Sequence, residues 1–168
     1  MSTATPGNQE YNLACGLLLL ASQTSVPRMP ANERECIMQT PNLKQMVTGP
    51  LPDVLERVTM ALQKEGFGVL TRIDLHQKFK EKLGKEMAPV VILGACNPQL
   101  AFEAYSKNPD VTALLPCNVV LRELSPGQIS VEIAKPSSLM EMLGDKDLVA
   151  MAGQADVRLL RVLAGLVG

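Results

Sequence analysis

A chain of 168 residues with 46% hydrophobic and 20% charged side chains suits one domain with its own core, and a formal net charge of -1 excludes a whole-surface electrostatic grip on nucleic acid. Aromatic residues make up only 3% and Trp is absent, so the core is aliphatic and the stacking platforms that bind unpaired bases are scarce. Four cysteines (Cys15, Cys36, Cys96 and Cys117) contain no C-x-x-C pair, which excludes a zinc ribbon, a thioredoxin-type motif and a disulfide-dense secreted scaffold and points to reduced thiols in a cytoplasmic protein.

Residues 1–41 read as an irregular arm rich in Ser, Thr, Asn, Gln and Pro, without sustained periodicity and without expected fixed structure. Its apolar run, Leu13 to Ala21, is too short to span a bilayer. Export through residues 1–25 is the alternative to a cytoplasmic location. Glu10 precedes the run, no Lys or Arg does, and no clear small-x-small cleavage site follows. Met38, just before the regular region, is a second candidate start.

From Asn42 the pattern becomes regular. Leu43 to Thr48 reads as a first strand. Pro50 and Pro52 bracket a helix start, where the missing proline N–H costs nothing. Val54, Leu55, Val58, Ala61 and Leu62 supply that helix with one apolar stripe, and Gly66 suits its left-handed end. Phe67 to Ile73 alternates as a strand. Leu75, Phe79 and Leu83 mark a short helix closed by Gly84. Val90 to Ala95 is a continuous apolar strand, followed by Asn97-Pro98, a favoured cap and first helical residue. That helix carries Leu100, Ala101, Ala104 and Tyr105 and should stop near Asn108-Pro109.

Cys117 to Leu124 and Gln128 to Ala134 read as a hairpin joined through Ser125-Pro126-Gly127, with Ile129, Val131 and Ile133 on the buried face. Leu148, Ala152, Ala155, Leu159, Leu163 and Leu166 then form the buried stripe of a last helix. The pattern predicts one α+β domain over residues 42–168, a mixed or antiparallel sheet packed against helices.

Cys96 is the most informative candidate. It ends a strand one residue before the N-cap Asn97, so the donors and positive pole of a helix should lie near its sulfur and favour the reactive thiolate. Cys117-Asn118 repeats the Cys-Asn pattern at a second strand boundary. Two thiols at strand ends can form a disulfide, a two-thiolate metal site or a nucleophile with its resolving partner. The plainer alternative is a pair of buried thiols packing as small hydrophobes. Cys96 and Cys117 are therefore the catalytic candidates, and Asn97 and Asn118 the ligand-binding ones. No metal ligand set and no cofactor is expected.

His76, the only histidine, flanks Leu75 on a basic helix and reads as a solvated residue. Arg72, Lys78, Lys80, Lys82 and Lys85 cluster in one segment, and Lys78, Lys82 and Lys85 share a helical face that could attract an anion, tempered by Asp74, Glu81 and Glu86. The glycines match no phosphate loop or dinucleotide fingerprint, and no Gly-x-Ser-x-Gly elbow is present.

Four ordered blocks carry a resemblance: Gly66–Asp74 (GFGVLTRID), Lys80–Gly84 (KEKLG), Ile92–Ala101 (ILGACNPQLA) and Leu114–Val120 (LLPCNVV). Together they resemble the family named domain of unknown function 302, found mainly in bacteria and archaea. The resemblance runs from about Leu43 to the C-terminus. It implies a β-α-β4-α domain similar to the TATA-binding-protein-like sheet architecture, and no established activity. Val91 stands where family members often carry an aromatic residue, and Lys135-Pro136 where they often have Asp-Pro.

The leading functional expectation is a small-ligand-binding or thiol-redox module centred on Cys96 and Cys117. The alternatives are an enzyme using Cys96 as nucleophile on a small metabolite, and a structural or homodimeric domain with inert buried cysteines. Expected partners are a small molecule or a second copy, with neither nucleic acid nor membrane.

Overall fold

The computed structural model describes residues 42–167; the arm, with Cys15, Cys36, Met38 and the apolar run, lies outside them. In chain order the elements are β1 (Asn42–Thr48), α1 (Leu51–Lys64), β2 (Gly68–Asp74), α2 (Leu75–Leu83), β3 (Val90–Cys96), α3 (Pro98–Lys107), β4 (Cys117–Ser125), β5 (Gln128–Ala134), α4 (Pro136–Met140) and α5 (Lys146–Ala164), with 3-10 turns at Pro109–Leu114 and Glu141–Leu143. With α2, α3 and α4 set aside, this is the β-α-β4-α order that the family resemblance implies.

The strands form one five-stranded sheet in the order β1-β5-β4-β3-β2. Every neighbouring pair is antiparallel, so the expected α+β class holds and the mixed alternative falls away. The first and last helices supply most of the cover on one face. Val54, Val58 and Leu62 of α1 and Leu159, Val162 and Leu163 of α5 join Val119, Leu121, Val131 and Ile133 of the inner strands in a single core. Strand alternation puts Cys117, Val119 and Leu121 of β4 and Ile129, Val131 and Ile133 of β5 on the buried face, while Ser130 is buried on the other.

Helix ends follow the local chemistry. The side chain of Asp145 accepts from the N–H groups of Asp147 and Leu148 at the start of α5, and Asn97 does the same for Leu100 at the start of α3. Gly66 has φ +81, which only glycine adopts without strain, and lets the chain turn from α1 into β2.

Met140 of α4 and Val111 of the Pro109–Leu114 segment pack with Leu148 of α5 in a small second core, flanked by Leu143 of the second 3-10 segment. The α4 turn and the 3-10 segments are each too short to show a helical period. The stripe expected on α3 is only partly realised: Tyr105 is exposed, and no residue of the helix is fully buried. No helix among the described residues is long and apolar enough to cross a membrane.

Candidate functional site

The two Cys-Asn dipeptides meet at one end of the sheet because β3 ends where its antiparallel neighbour β4 begins. Ala95 pairs with Cys117, and Gly94 pairs with Asn118. Directly paired residues share a face, and successive residues alternate. Cys117 therefore sits with Ala95 on the helix-covered face, above Val119 and Leu121. Cys96, Gly94 and Asn118 fall on the opposite face. The register brings the dipeptides together but turns their thiols to opposite sides of the sheet, and both cysteines are free.

Burial follows this division. Cys117 is 7% exposed and Asn118 is exposed; Cys96 is half-buried and Asn97 is 7% exposed. Asn97 accepts a 3.1 Å bond from the Leu100 N–H through Oδ1, capping α3. Its Nδ2 lies against Gly66, where a Cβ would come within 2.9 Å. Asn97 thus ties the start of α3 to the turn after α1 and is committed to the fold.

The Cys96 end is tightly built. A Cβ at Gly94 would lie 2.3 Å from Thr71 Oγ1 and 2.6 Å from Pro116 Cγ, so only glycine lets the Pro116 ring and the β2 edge close over β3. The Leu115–Pro116 peptide is cis.

Electrostatics do not activate either thiol. Burial pushes the Cys96 thiol above its ordinary value. Burial pushes Cys117 up to about 11, with the charges of Cys96 and Asp156 adding to the rise. At the start of α3 the Leu100 N–H is taken by the Asn97 cap. Asp156, buried at 7%, accepts from the Ser137 N–H at 3.1 Å and is the charged group behind Cys117.

His76 is not a partner for Cys96. Its Nδ1 lies 3.0 Å from the Val90 carbonyl oxygen, at the start of β3, whereas Cys96 ends that strand. Six residues of strand separate the two ends by about 20 Å. The lysine-rich helix α2 also starts at the far end, after Asp74. Lys78 pairs with Glu81 at 2.9 Å and Lys80 with Glu86 at 2.8 Å.

Sequence reasoning did not single out Asp156 or the Arg72–Asp74 pair. The alternation of Thr71-Arg72-Ile73-Asp74 was the available signal for that last pair, because it sets two opposite charges on one strand face. Among the described residues no three His, Cys, Asp or Glu side chains gather as metal ligands.

Residues 43–166 match the family described as "Domain of unknown function DUF302". The chain belongs to the DUF302 family. A crystal structure of the uncharacterized conserved protein DUF302 from Bacillus stearothermophilus superposes with a TM-score of 0.71 at 31% identity, covering 76% of this chain and 98% of that one. No curated protein matches the chain. Val91 and Lys135 are both interior, at 1% and 8% exposed. Val91 pairs with Asp74 and lines the space between the sheet and α1.

Proposed function

We propose that this DUF302 domain is a small-ligand-binding module whose recognition surface is the Cys96 end of the uncovered sheet face. Cys96 supplies a neutral thiol, Asn118 an exposed amide that both donates and accepts, and Asn97 and Cys117 the support beneath them. The observation that carries the reading is the register: Gly94 opposite Asn118, with Cys96 two residues on, gathers these groups on one face. A thiol raised by burial suits contact with a ligand better than nucleophilic attack at neutral pH.

The test is an NMR fragment screen on the native protein. Binding fragments should shift Gly94, Cys96 and Asn118 together, and the Asn118→Ala and Cys96→Ser variants should lose that response while keeping the fold. Fragments that bind only elsewhere, or none at all, would remove the support for this reading.

A redox role is the second reading, favoured by the electrostatic influence of Cys96 on Cys117. It requires the strand end to open so that the sulfurs meet. Treatment with diamide would then yield an intrachain Cys96–Cys117 disulfide, read by mass spectrometry as the loss of two hydrogens; a chain that stays reduced would dismiss it.

A further inference from the structure

Helix cover over the sheet stops short of its edge. In β2, Arg72 pairs with Leu93 and Asp74 with Val91, so both charges point to the helix side. Leu93 and Val91 are 2% and 1% exposed, while the side chains of Arg72 and Asp74 are 52% and 24% exposed. Between this strand face and α1 runs a groove of about 590 Å³, within the roughly 300–1,000 Å³ typical of small-molecule sites.

The groove has two walls. On the α1 side Leu51, Leu55 and Met60 give an apolar stretch interrupted by Glu56, Thr59 and Gln63, and on the sheet side Arg72 and Asp74 stand beside the apolar Val91. Arg72 donates from Nε to Asp74 Oδ2 at 3.1 Å and from Nη2 to Oδ1 at 2.8 Å. This leaves the guanidinium Nη1 and the remaining carboxylate lone pairs as contact points for a ligand. A fixed cation and a fixed anion thus lie side by side next to apolar side chains.

We propose that this groove binds a small zwitterion with an apolar substituent, of the class of a free α-amino acid. Its carboxylate lies on Arg72, its ammonium on Asp74, and its side chain against Leu55 and Val91. The charge balance selects this class. A lone carboxylate that takes Arg72 leaves Asp74 without its cation, and a lone amine that takes Asp74 leaves Arg72 without its anion. A zwitterion replaces both halves of the pair at once. Contact with the apolar side chains then adds the gain that an exchange of ion pairs lacks. The groove is separate from the Cys96 surface, because Gly68 opposes Cys96 at one end of β2 while Asp74 lies at the other, about 20 Å away.

The experiment is an amide-shift titration of the full chain with L-leucine, isocaproate (no ammonium), isoamylamine (no carboxylate) and glycine (no apolar group). Leucine should give saturable shifts at Leu55, Arg72, Asp74 and Val91, and each of the other probes should bind at least about ten-fold more weakly. Arg72→Gln and Asp74→Asn should each weaken leucine by a similar factor. The swapped variant Arg72→Asp/Asp74→Arg, which keeps the ion pair, checks that the strand stays folded. Isocaproate binding as well as leucine would overturn the proposal in favour of a plain carboxylate site. Shifts that grow with protein concentration alone would overturn it in favour of a second copy. The absence of saturation by any probe would leave Arg72 and Asp74 as inward charges guarding an edge strand.

Discussion

The two Cys-Asn dipeptides are identical in sequence and opposite in environment. At the first, the thiol is half-buried on the uncovered face and the amide is locked inside as a helix cap. At the second, the thiol is inside, against α5 and Asp156, and the amide is exposed. The cause is phase along the strand. Asn97 lies beyond the last residue of β3 and opens a helix, whereas Asn118 is the second residue of β4 and alternates outward. A dipeptide does not carry its environment with it; strand phase and register assign one.

This comparison breaks most visibly at high pH. An unfolded thiol ionises near its ordinary value of 9.0, whereas Cys117 in the native state holds its proton to about 11. Between those values the unfolded chain loses a proton that the folded chain keeps. The stability from burying the neutral thiol is therefore complete below pH 9.0 and falls as pH rises toward 11, by about 3 kcal/mol. Urea unfolding of the native chain and of Cys117→Ala across that range should differ by this slope. Parallel curves would mean that Cys117 is not held as a buried neutral thiol.

The close approach at Gly94 gives the next effect. Gly94→Ala forces a methyl into Thr71 Oγ1 and the Pro116 ring and should cost roughly 1–3 kcal/mol in denaturant unfolding. Adding Thr71→Ala should recover part of that loss, and the double variant reports whether the clash lies on the β2 side. A neutral Gly94→Ala would show that the uncovered face at Cys96 is looser than described.

The asparagines give the smallest pair of effects and the sharpest contrast. Asn97→Ala removes a cap and a buried amide and should cost about 1–2 kcal/mol. Asn118→Ala, on the exposed face, should stay within about 0.5 kcal/mol. Thermal unfolding of the two variants side by side measures the difference, and equal losses would erase the distinction drawn between the dipeptides.

Much of the fold was legible because it rests on local periodicity. The alternation of Ile129, Val131 and Ile133, the stripe of Val54, Val58 and Leu62 and the Asn97-Pro98 cap each fix an element without reference to the rest of the chain. The blocks around Cys96 and Cys117 added the family, whose implied β-α-β4-α order agrees with the five strands read from local pattern. What stayed hidden depends on pairing between distant segments. No local pattern shows that β2 is an edge strand, so the groove beside Arg72 and Asp74 was invisible although both charges were in plain view. Nor does the sequence state that Ala95 opposes Cys117, the one registration that separates the two thiols. The start of α3 beside Cys96 was legible from Asn97-Pro98, whereas the burial that raises its thiol depends on segments distant in the chain.

The most direct test of the division between the two thiols is to measure alkylation of Cys96 and Cys117 separately, by peptide mass spectrometry on the reduced native protein across pH. The account predicts that Cys96 labels in the folded state, slowly at neutral pH and faster only above the ordinary thiol range, while Cys117 labels no faster than the chain unfolds. Rapid labelling of Cys96 near pH 7 would show an activated thiolate. Equal labelling of both would show that they share one face, and either result would contradict the account.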